Sequence, residues 1–260
     1  MSNLLINELS EKWEKSGINK GDVVLLHSNI KRLLLDFKSK GVKLDIKLII
    51  KSFLDSLGPE GTLILPLFNF SFTKGETFNI NSTPSQMGAL TEYFRKNFNI
   101  IRTGHPIYSF AVYGKKISNF LNLDNYSGHS EESPFGILKK LNGKIAVLDL
   151  EDQDAMTFYH HVEEINQVDY RYFKKFKGNY IDKNEINTSK TYALYVRKLE
   201  LGIKTHVNPA GELLWKEGLY KGHKPLFKSG LRTIESKILF NFISDIIRSG
   251  KAKNILYKIN

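Results

Sequence analysis

The run Thr157-Phe158-Tyr159-His160-His161-Val162-Glu163-Glu164 carries two histidines, each followed three residues later by a glutamate. On a helix that spacing sets His160 and Glu163 on one face, and His161 and Glu164 on another about 100° around. A carboxylate so placed holds an imidazole in one tautomer and stabilises its charged form. With Thr157 as the N-cap, His160 falls in the first turn, where the positive end of the helix dipole disfavours imidazolium and keeps the ring neutral and basic near pH 7. A general base needs those properties. The same pattern also suits an ordinary surface or half-buried helix start, and spacing does not choose between the two pairs.

Other polar groups sit where strands end. Gly21-Asp22-Val23-Val24-Leu25-Leu26-His27-Ser28 reads as a buried strand with a polar tip. The carboxyl ends of such strands are where open α/β sheets bind ligands, so His27 and Ser28 are candidates for binding as well as ordinary strand-end polar residues. Arg102-Thr103-Gly104-His105-Pro106 predicts a turn, with a strand from Ser109 to Tyr113 behind it. In the polar loop from Gly128 to Gly136, Ser133 can cap a short helix that has Pro134 at its first position.

The elements that must position these groups follow from periodicity. Leu5, Ile6, Leu9 and Trp13 form a helical stripe, and Ile46, Ile49, Ile50, Phe53, Leu54 and Leu57 form another that Gly58-Pro59 stops. Gly61 to Pro66 and Lys144 to Leu150 are the second and third buried strands. A polar loop runs to Pro84, and a helix opens near Ser85. Tyr170 to Phe176 and Tyr192 to Leu199 alternate, as antiparallel strands do. Ala210 to Lys216 predicts a short helix, Ile234 to Ile246 an amphipathic one, and Ile255-Leu256-Tyr257 a last strand. With no linker or repeat, the simplest architecture is one α/β domain over residues 1–260, a three-layer α/β/α sandwich around a mixed sheet.

Composition narrows the chemistry. The 260 residues are 41% hydrophobic and 12% aromatic, ample for a buried core, and contain no cysteine. A disulfide framework, a zinc–thiolate site and a thiol nucleophile are excluded. No apolar run approaches the roughly 20 residues of a membrane span, and the acidic N-terminal segment is unlike a signal peptide, so the expectation is a cytoplasmic protein. The net charge of +11 favours anionic partners, although the lysines are spread along the chain without a basic block. Phe173-Lys174-Lys175-Phe176-Lys177 interleaves rings and cations as single-strand binders do. An amphipathic strand with a solvated face is the simpler account.

The ordered pieces His27-Ser28, Gly61 to Pro66, Thr83-Pro84-Ser85-Gln86-Met87-Gly88 with Glu92, Phe94 and Arg95, then Arg102 to Pro106 with Ser109, Gly128, Ser133-Pro134 and Thr157-x-x-His160-x-x-Glu163 resemble the aminoglycoside 3-N-acetyltransferase family. The resemblance spans roughly residues 20 to 250 and is strong through about residue 165. It selects His160 and Glu163 over His161 and Glu164. It implies acetyl transfer from acetyl-coenzyme A to a sugar amine in a ternary complex, with His160 as general base and Glu163 orienting it. It also implies a coenzyme A site around His27, Ser28 and Lys31, near His105 and Ser109. The chain departs from the family with His27-Ser28-Asn29-Ile30 in place of His-Ser-Ser-Leu, and Arg102-Thr103 in place of Arg-Ser.

The basic second half, with Arg171, Lys174, Lys175, Lys177, Arg197, Lys198, Lys221, His223 and Lys224, suits an anionic acceptor such as a nucleotide-linked amino sugar of surface-polysaccharide synthesis. The alternative is an acidic aminoglycoside pocket built from Glu131, Glu132, Asp152 and Asp154. A thioester or amide hydrolase using the same pair lacks a Gly-x-Ser-x-Gly elbow. A metal site lacks a third ligand at a suitable spacing, so no metal is expected. A nucleic-acid module rests on charge alone and matches no binding motif, so the expected partners are small molecules, with a homodimer allowed.

Overall fold

The computed structural model describes residues 2–225 and 229–259. The first half alternates helix and strand: α1 (Ser2–Lys15), β1 (Val23–Ser28), α2 (Lys31–Ser39), α3 (Ile46–Leu57), β2 (Thr62–Pro66), β3 (Phe78–Asn79), α4 (Ala89–Asn97), β4 (Ile101–Arg102) and β5 (Phe110–Gly114). Then come α5 (Pro134–Lys140), β6 (Lys144–Leu148), α6 (Asp152–Ala155), α7 (Phe158–Ile165), β7 (Arg171–Ile181) and β8 (Asn187–Arg197). The chain closes with β9 (Ile203–Thr205), α8 (Asn208–Lys216), β10 (Lys221–Gly222), β11 (Leu231–Glu235), α9 (Ser236–Arg248) and β12 (Tyr257–Ile259).

Seven strands form one mixed sheet in the order β10-β11-β6-β1-β2-β5-β4. The three strands with unbroken apolar runs, β6, β1 and β2, are its parallel centre. They need no alternation because both faces are covered. Val24, Leu26, Leu63, Leu65 and Ala146 pack with Trp13, Ile50 and Phe53 of α1 and α3 on one side. Val23, Leu25, Ile64, Ile145 and Val147 pack with Phe135, Phe158 and Leu239 of α5, α7 and α9 on the other. This is the expected three-layer α/β/α arrangement. Trp13 stacks on Phe53 at 4.6 Å and its indole N–H donates to Ser52 Oγ at 2.8 Å, locking α1 against α3.

Four expectations need correction. Ile234 belongs to β11, a strand antiparallel to β6; its apolar neighbours matched the helical period that truly begins at Ser236. The segment before Pro84 holds a 3₁₀ turn over Ser71–Lys74 and β3, which pairs with β7. Helix α4 opens at Ala89, because Ser85 turns its hydroxyl to accept from the Met87 N–H instead. The alternating strands run further than their apolar positions, pairing Arg171 with Arg197 at one end and Ile181 with Asn187 at the other. Ser133 does cap α5, accepting from the Gly136 N–H at 3.4 Å with Pro134 at the first turn. Among the described residues, no helix is long and apolar enough to cross a membrane.

Candidate active site

Helix α7 follows β6, so His160 lies beyond the carboxyl ends of the parallel strands. Phe158 and Val162 anchor the helix in the core and are fully buried. His160 Nδ1 lies 3.0 Å from Glu163 Oε2, and the glutamate is 1% exposed. The second pair does not form. His161 Nδ1–H donates to the His129 carbonyl at 2.7 Å, while Glu164 Oε2 accepts from Ser127 Oγ at 2.7 Å. Thr157 stands at the N-cap position without capping: its φ of −60° and ψ of −18° are already helical, so its hydroxyl cannot reach back to the free N–H groups.

The electrostatic cause also differs from the helix dipole. Burial first, and then the Arg171 guanidinium, hold His160 below its ordinary value, with Glu163 opposing both. Arg171 Nη2 lies 2.8 Å from Glu163 Oε2 and 3.0 Å from His160 Nδ1. Burial works against charge on Glu163, yet Arg171, His160 and the Tyr170 hydroxyl (3.1 Å from Oε1) outweigh it and keep the carboxylate ionised. With Nδ1–H turned toward Glu163, the other ring nitrogen is the one left to take a proton. Arg171 is a member of the cluster that spacing gave no sign of, because it arrives on the next element.

His160 lines a cavity of about 400 Å³ together with Tyr108, His129, Arg171, Lys174 and Arg197, and among the described residues no aspartate or glutamate lines it. The acidic residues of the alternative stand elsewhere: Asp154 lines a separate cavity at the carboxyl ends of β1 and β2, and Asp152 lines one of about 300 Å³ with Glu151 and Glu212. Asp152 is buried, accepting from the Tyr159 and Tyr220 hydroxyls at 2.7 and 2.6 Å and from Arg232 at 2.9 Å. Glu131 is paired with Lys139.

A second cavity, of about 740 Å³, opens at the carboxyl ends of β1 and β2. His27, Ser28 and Lys31 line it, along with Asp154 and the first turn of α4. The N-cap residues of α2 and α4, Ile30 and Gly88, supply no side-chain cap, and although Asn29 Oδ1 accepts from the Lys31 N–H at 3.1 Å, the other first-turn N–H groups are left for an anion. Leu34, Leu35, Met87 and Leu90 give an apolar wall. Phosphates and a pantetheine arm fit that donor set, and His27 Nε2 is buried there with no hydrogen-bond partner among the described residues.

His105 and Ser109 are not on that wall. Both are fully buried. His105 Nδ1 accepts from the Ile107 and Tyr108 N–H groups at 3.2 and 3.0 Å, and Ser109 Oγ bonds the Leu67 carbonyl and Arg102. They shape the turn that presents Tyr108. Contacts of rings join the two cavities, from His27 through Phe68, Tyr108 and His129 to His160. Among the described residues, no group of three histidine or acidic side chains is placed to hold a metal ion.

The profile of aminoglycoside 3-N-acetyltransferases matches residues 25–247. The chain belongs to this family. The match begins within β1 and ends within α9, so it takes in both cavities and the His160 pair. The SPbeta prophage-derived aminoglycoside N(3')-acetyltransferase-like protein YokD of Bacillus subtilis (strain 168) is 26% identical over 178 residues, which are 60% of this chain and 63% of that protein. Aminoglycoside N(3)-acetyltransferase IV of Salmonella sp is 30% identical over 161 residues, 59% of this chain and 56% of its own length. Each match thus spans less than two thirds of the relative.

Solved structures share the fold over nearly the whole chain. YokD from Bacillus subtilis superimposes with a TM-score of 0.75 at 20% identity, covering 93% of this chain and 92% of that one. AAC-IIIb in binary complex with CoASH gives 0.78 at 16% identity, covering 94% and 96%. AAC-VIa bound to sisomicin gives 0.74 at 16% identity, covering 94% and 97%. The aminoglycoside 3-N-acetyltransferase fold is therefore present from α1 to the closing strands.

Proposed function

We propose that this protein is an acetyl-coenzyme A-dependent N-acetyltransferase that acts on an amino sugar by direct transfer in a ternary complex. His160 is the general base and Glu163 orients it; His27, Ser28 and Lys31 belong to the coenzyme A side, and His105 and Ser109 support the turn between the two sides. The observation that carries the reading is the His160–Glu163 pair on the wall of one cavity, with a second, phosphate-compatible cavity at the strand ends. Separate cavities for donor and acceptor suit simultaneous binding. Among the described residues, neither His27 nor His160 is hydrogen-bonded to a serine, threonine or tyrosine hydroxyl, so no activated oxygen nucleophile supports an acyl-enzyme. Coenzyme A supplies the acetyl thioester. The acceptor amine attacks its carbonyl carbon, His160 takes an N–H proton, and the C–S bond breaks to release a thiolate that takes up that proton as the thiol leaves.

The acceptor we favour carries negative charge, as a nucleotide-linked amino sugar does. Arg171, Lys174 and Arg197 line the wall beside His160 without a carboxylate among them, and the rings of Phe70, Tyr108 and Tyr172 offer a surface for a base. A polycationic aminoglycoside finds no counter-charge on this wall. Thiol release with acetyl-coenzyme A is measured for nucleotide-linked amino sugars and for an aminoglycoside panel, each at two salt concentrations. The anionic acceptors should turn over faster and lose efficiency as salt rises. Efficient acetylation of several aminoglycosides with the nucleotide sugars inert would reverse the acceptor assignment, and no turnover of any amine would remove the transferase reading.

A further inference from the structure

Arg171 and Arg197 face each other as a cross-strand pair at the base of the β7–β8 ladder, and both line the cavity of His160. Like charges directly opposite on a ladder are destabilising. Only one of the two is compensated. Arg171 is ion-paired with Glu163 at 2.8 Å, whereas Arg197, half-buried, has no carboxylate partner among the described residues. Burial first and then Arg171 push the Arg197 guanidinium below its usual range. Glu163 attracts it only at a distance, and a cation so placed calls for an anion that no described side chain supplies in contact.

The sharing of Glu163 gives that anion a chemical role. Its Oε2 serves Arg171 Nη2 at 2.8 Å and His160 Nδ1 at 3.0 Å, so its charge is shared with a guanidinium before His160 receives a proton. The charged and titratable groups facing the ring or lining its cavity are Glu163 on α7, Arg171 and Lys174 on β7, Arg197 on β8, and His129 and Tyr108 on the loops. One carboxylate stands against two guanidinium groups. Lys174 adds to their charge on the cavity wall, and a protonated His160 would be a further cation there, which leaves the free protein with a weak base.

We infer that Arg171 is a positioning residue through which an anionic group on the acceptor, held between Arg171 and Arg197, strengthens His160 as a base. The bound anion offsets the guanidinium charge and returns the field of Glu163 to the imidazole. As the amine nitrogen bonds to the acetyl carbon, its proton passes to His160, and the anion stabilises the imidazolium until the departing thiolate takes that proton up. Discrimination then falls on kcat as well as KM: a polycation that reaches the cavity adds positive charge beside the imidazolium and slows the step even when bound.

This inference rests on His160 being the base of the acetyltransferase, and its test does not need turnover. The His160 ring is titrated by NMR in the histidine-labelled full chain, alone and with millimolar uridine diphosphate, a probe that carries the anion without the amine. In the free protein the ring should titrate below the ordinary value near ~6.5, and uridine diphosphate should raise it by about 1–2 pH units. Arg171→Met should raise it without the probe and leave the probe little further effect. Arg197→Met, at the more exposed position, should weaken the probe's effect in a chain whose melting temperature is unchanged. The inference is overturned if uridine diphosphate fails to bind, if it binds without moving the His160 titration, or if neither substitution changes the response. Failure of the transferase reading would look different: the titrations would behave as stated while acetyl-coenzyme A stayed intact with every amine.

Discussion

Adjacent histidines with the same i,i+3 glutamate spacing have different environments, and the difference is set by what each ring meets. His160 keeps 21% of its side chain accessible on a cavity wall, whereas His161 is fully buried between Phe158 and Phe240 and is tied to the His129 carbonyl. His160→Ala should lower turnover by ~10²–10⁴-fold, the usual worth of a general base, with coenzyme A binding nearly unchanged. His161→Ala should act on stability instead, at about 2–3 kcal/mol, because it leaves a cavity and a buried carbonyl without its donor. Steady-state kinetics beside urea denaturation of both variants separate the two effects. A larger kinetic loss for His161→Ala would exchange their roles.

At the scale of elements, the site depends on strands and helices that meet around one buried carboxylate. Asp152, at the start of α6, holds Tyr159 of α7, Tyr220 just before β10 and Arg232 of β11. It therefore fixes the entry of α7 and with it the place of His160. Removing one partner of a buried ion pair costs about 3–5 kcal/mol, since the other charge stays uncompensated. Asp152→Ala should lose stability of that order in urea denaturation, and Arg232→Ala should lose a similar amount. The double variant should lose less than the sum, as coupled partners do. Additive losses would show that the two side chains act independently.

Across the whole molecule, five of the seven histidines are held below their ordinary range, and burial is the largest cause for each. His27 is lowered to about 3, and His105 and His161 to about 4. The unfolded chain takes up protons near ~6.5 that the folded chain refuses, so stability present above that pH is lost as pH falls. Glu164, raised to about 7 by burial, works in the opposite sense by binding a proton in the folded state first. Asp149, also raised by burial, acts in the same sense as Glu164, but the histidines outnumber these carboxyls, so between about pH 6 and pH 5 unfolding takes up protons and stability falls as pH falls. Urea midpoints measured across that range should fall steeply. A flat profile would mean that these rings are hydrated in the folded protein.

Local pattern was enough for much of this architecture. The helix from Ile46 to Leu57, the parallel core strands and the Ser133-Pro134 cap are local features, written in periodicity and in single turn residues, and they stand where the sequence puts them. The contact between His160 and Glu163 is of the same kind, because one helical turn suffices to make it. What the tertiary structure decided is everything that needs two distant elements. Ile234 joined a strand because β6 offered it an antiparallel edge, a fact with no local trace. Asp152, an acidic residue that reads as a candidate for a cationic ligand, was taken inward by two phenols and a guanidinium from other elements. Arg171 came to His160 because β7 begins beside α7, and that approach turns a histidine–glutamate pair into a three-membered assembly. Periodicity carries information over one or two turns, whereas the field at His160 is summed over charges brought within a few ångströms by the fold.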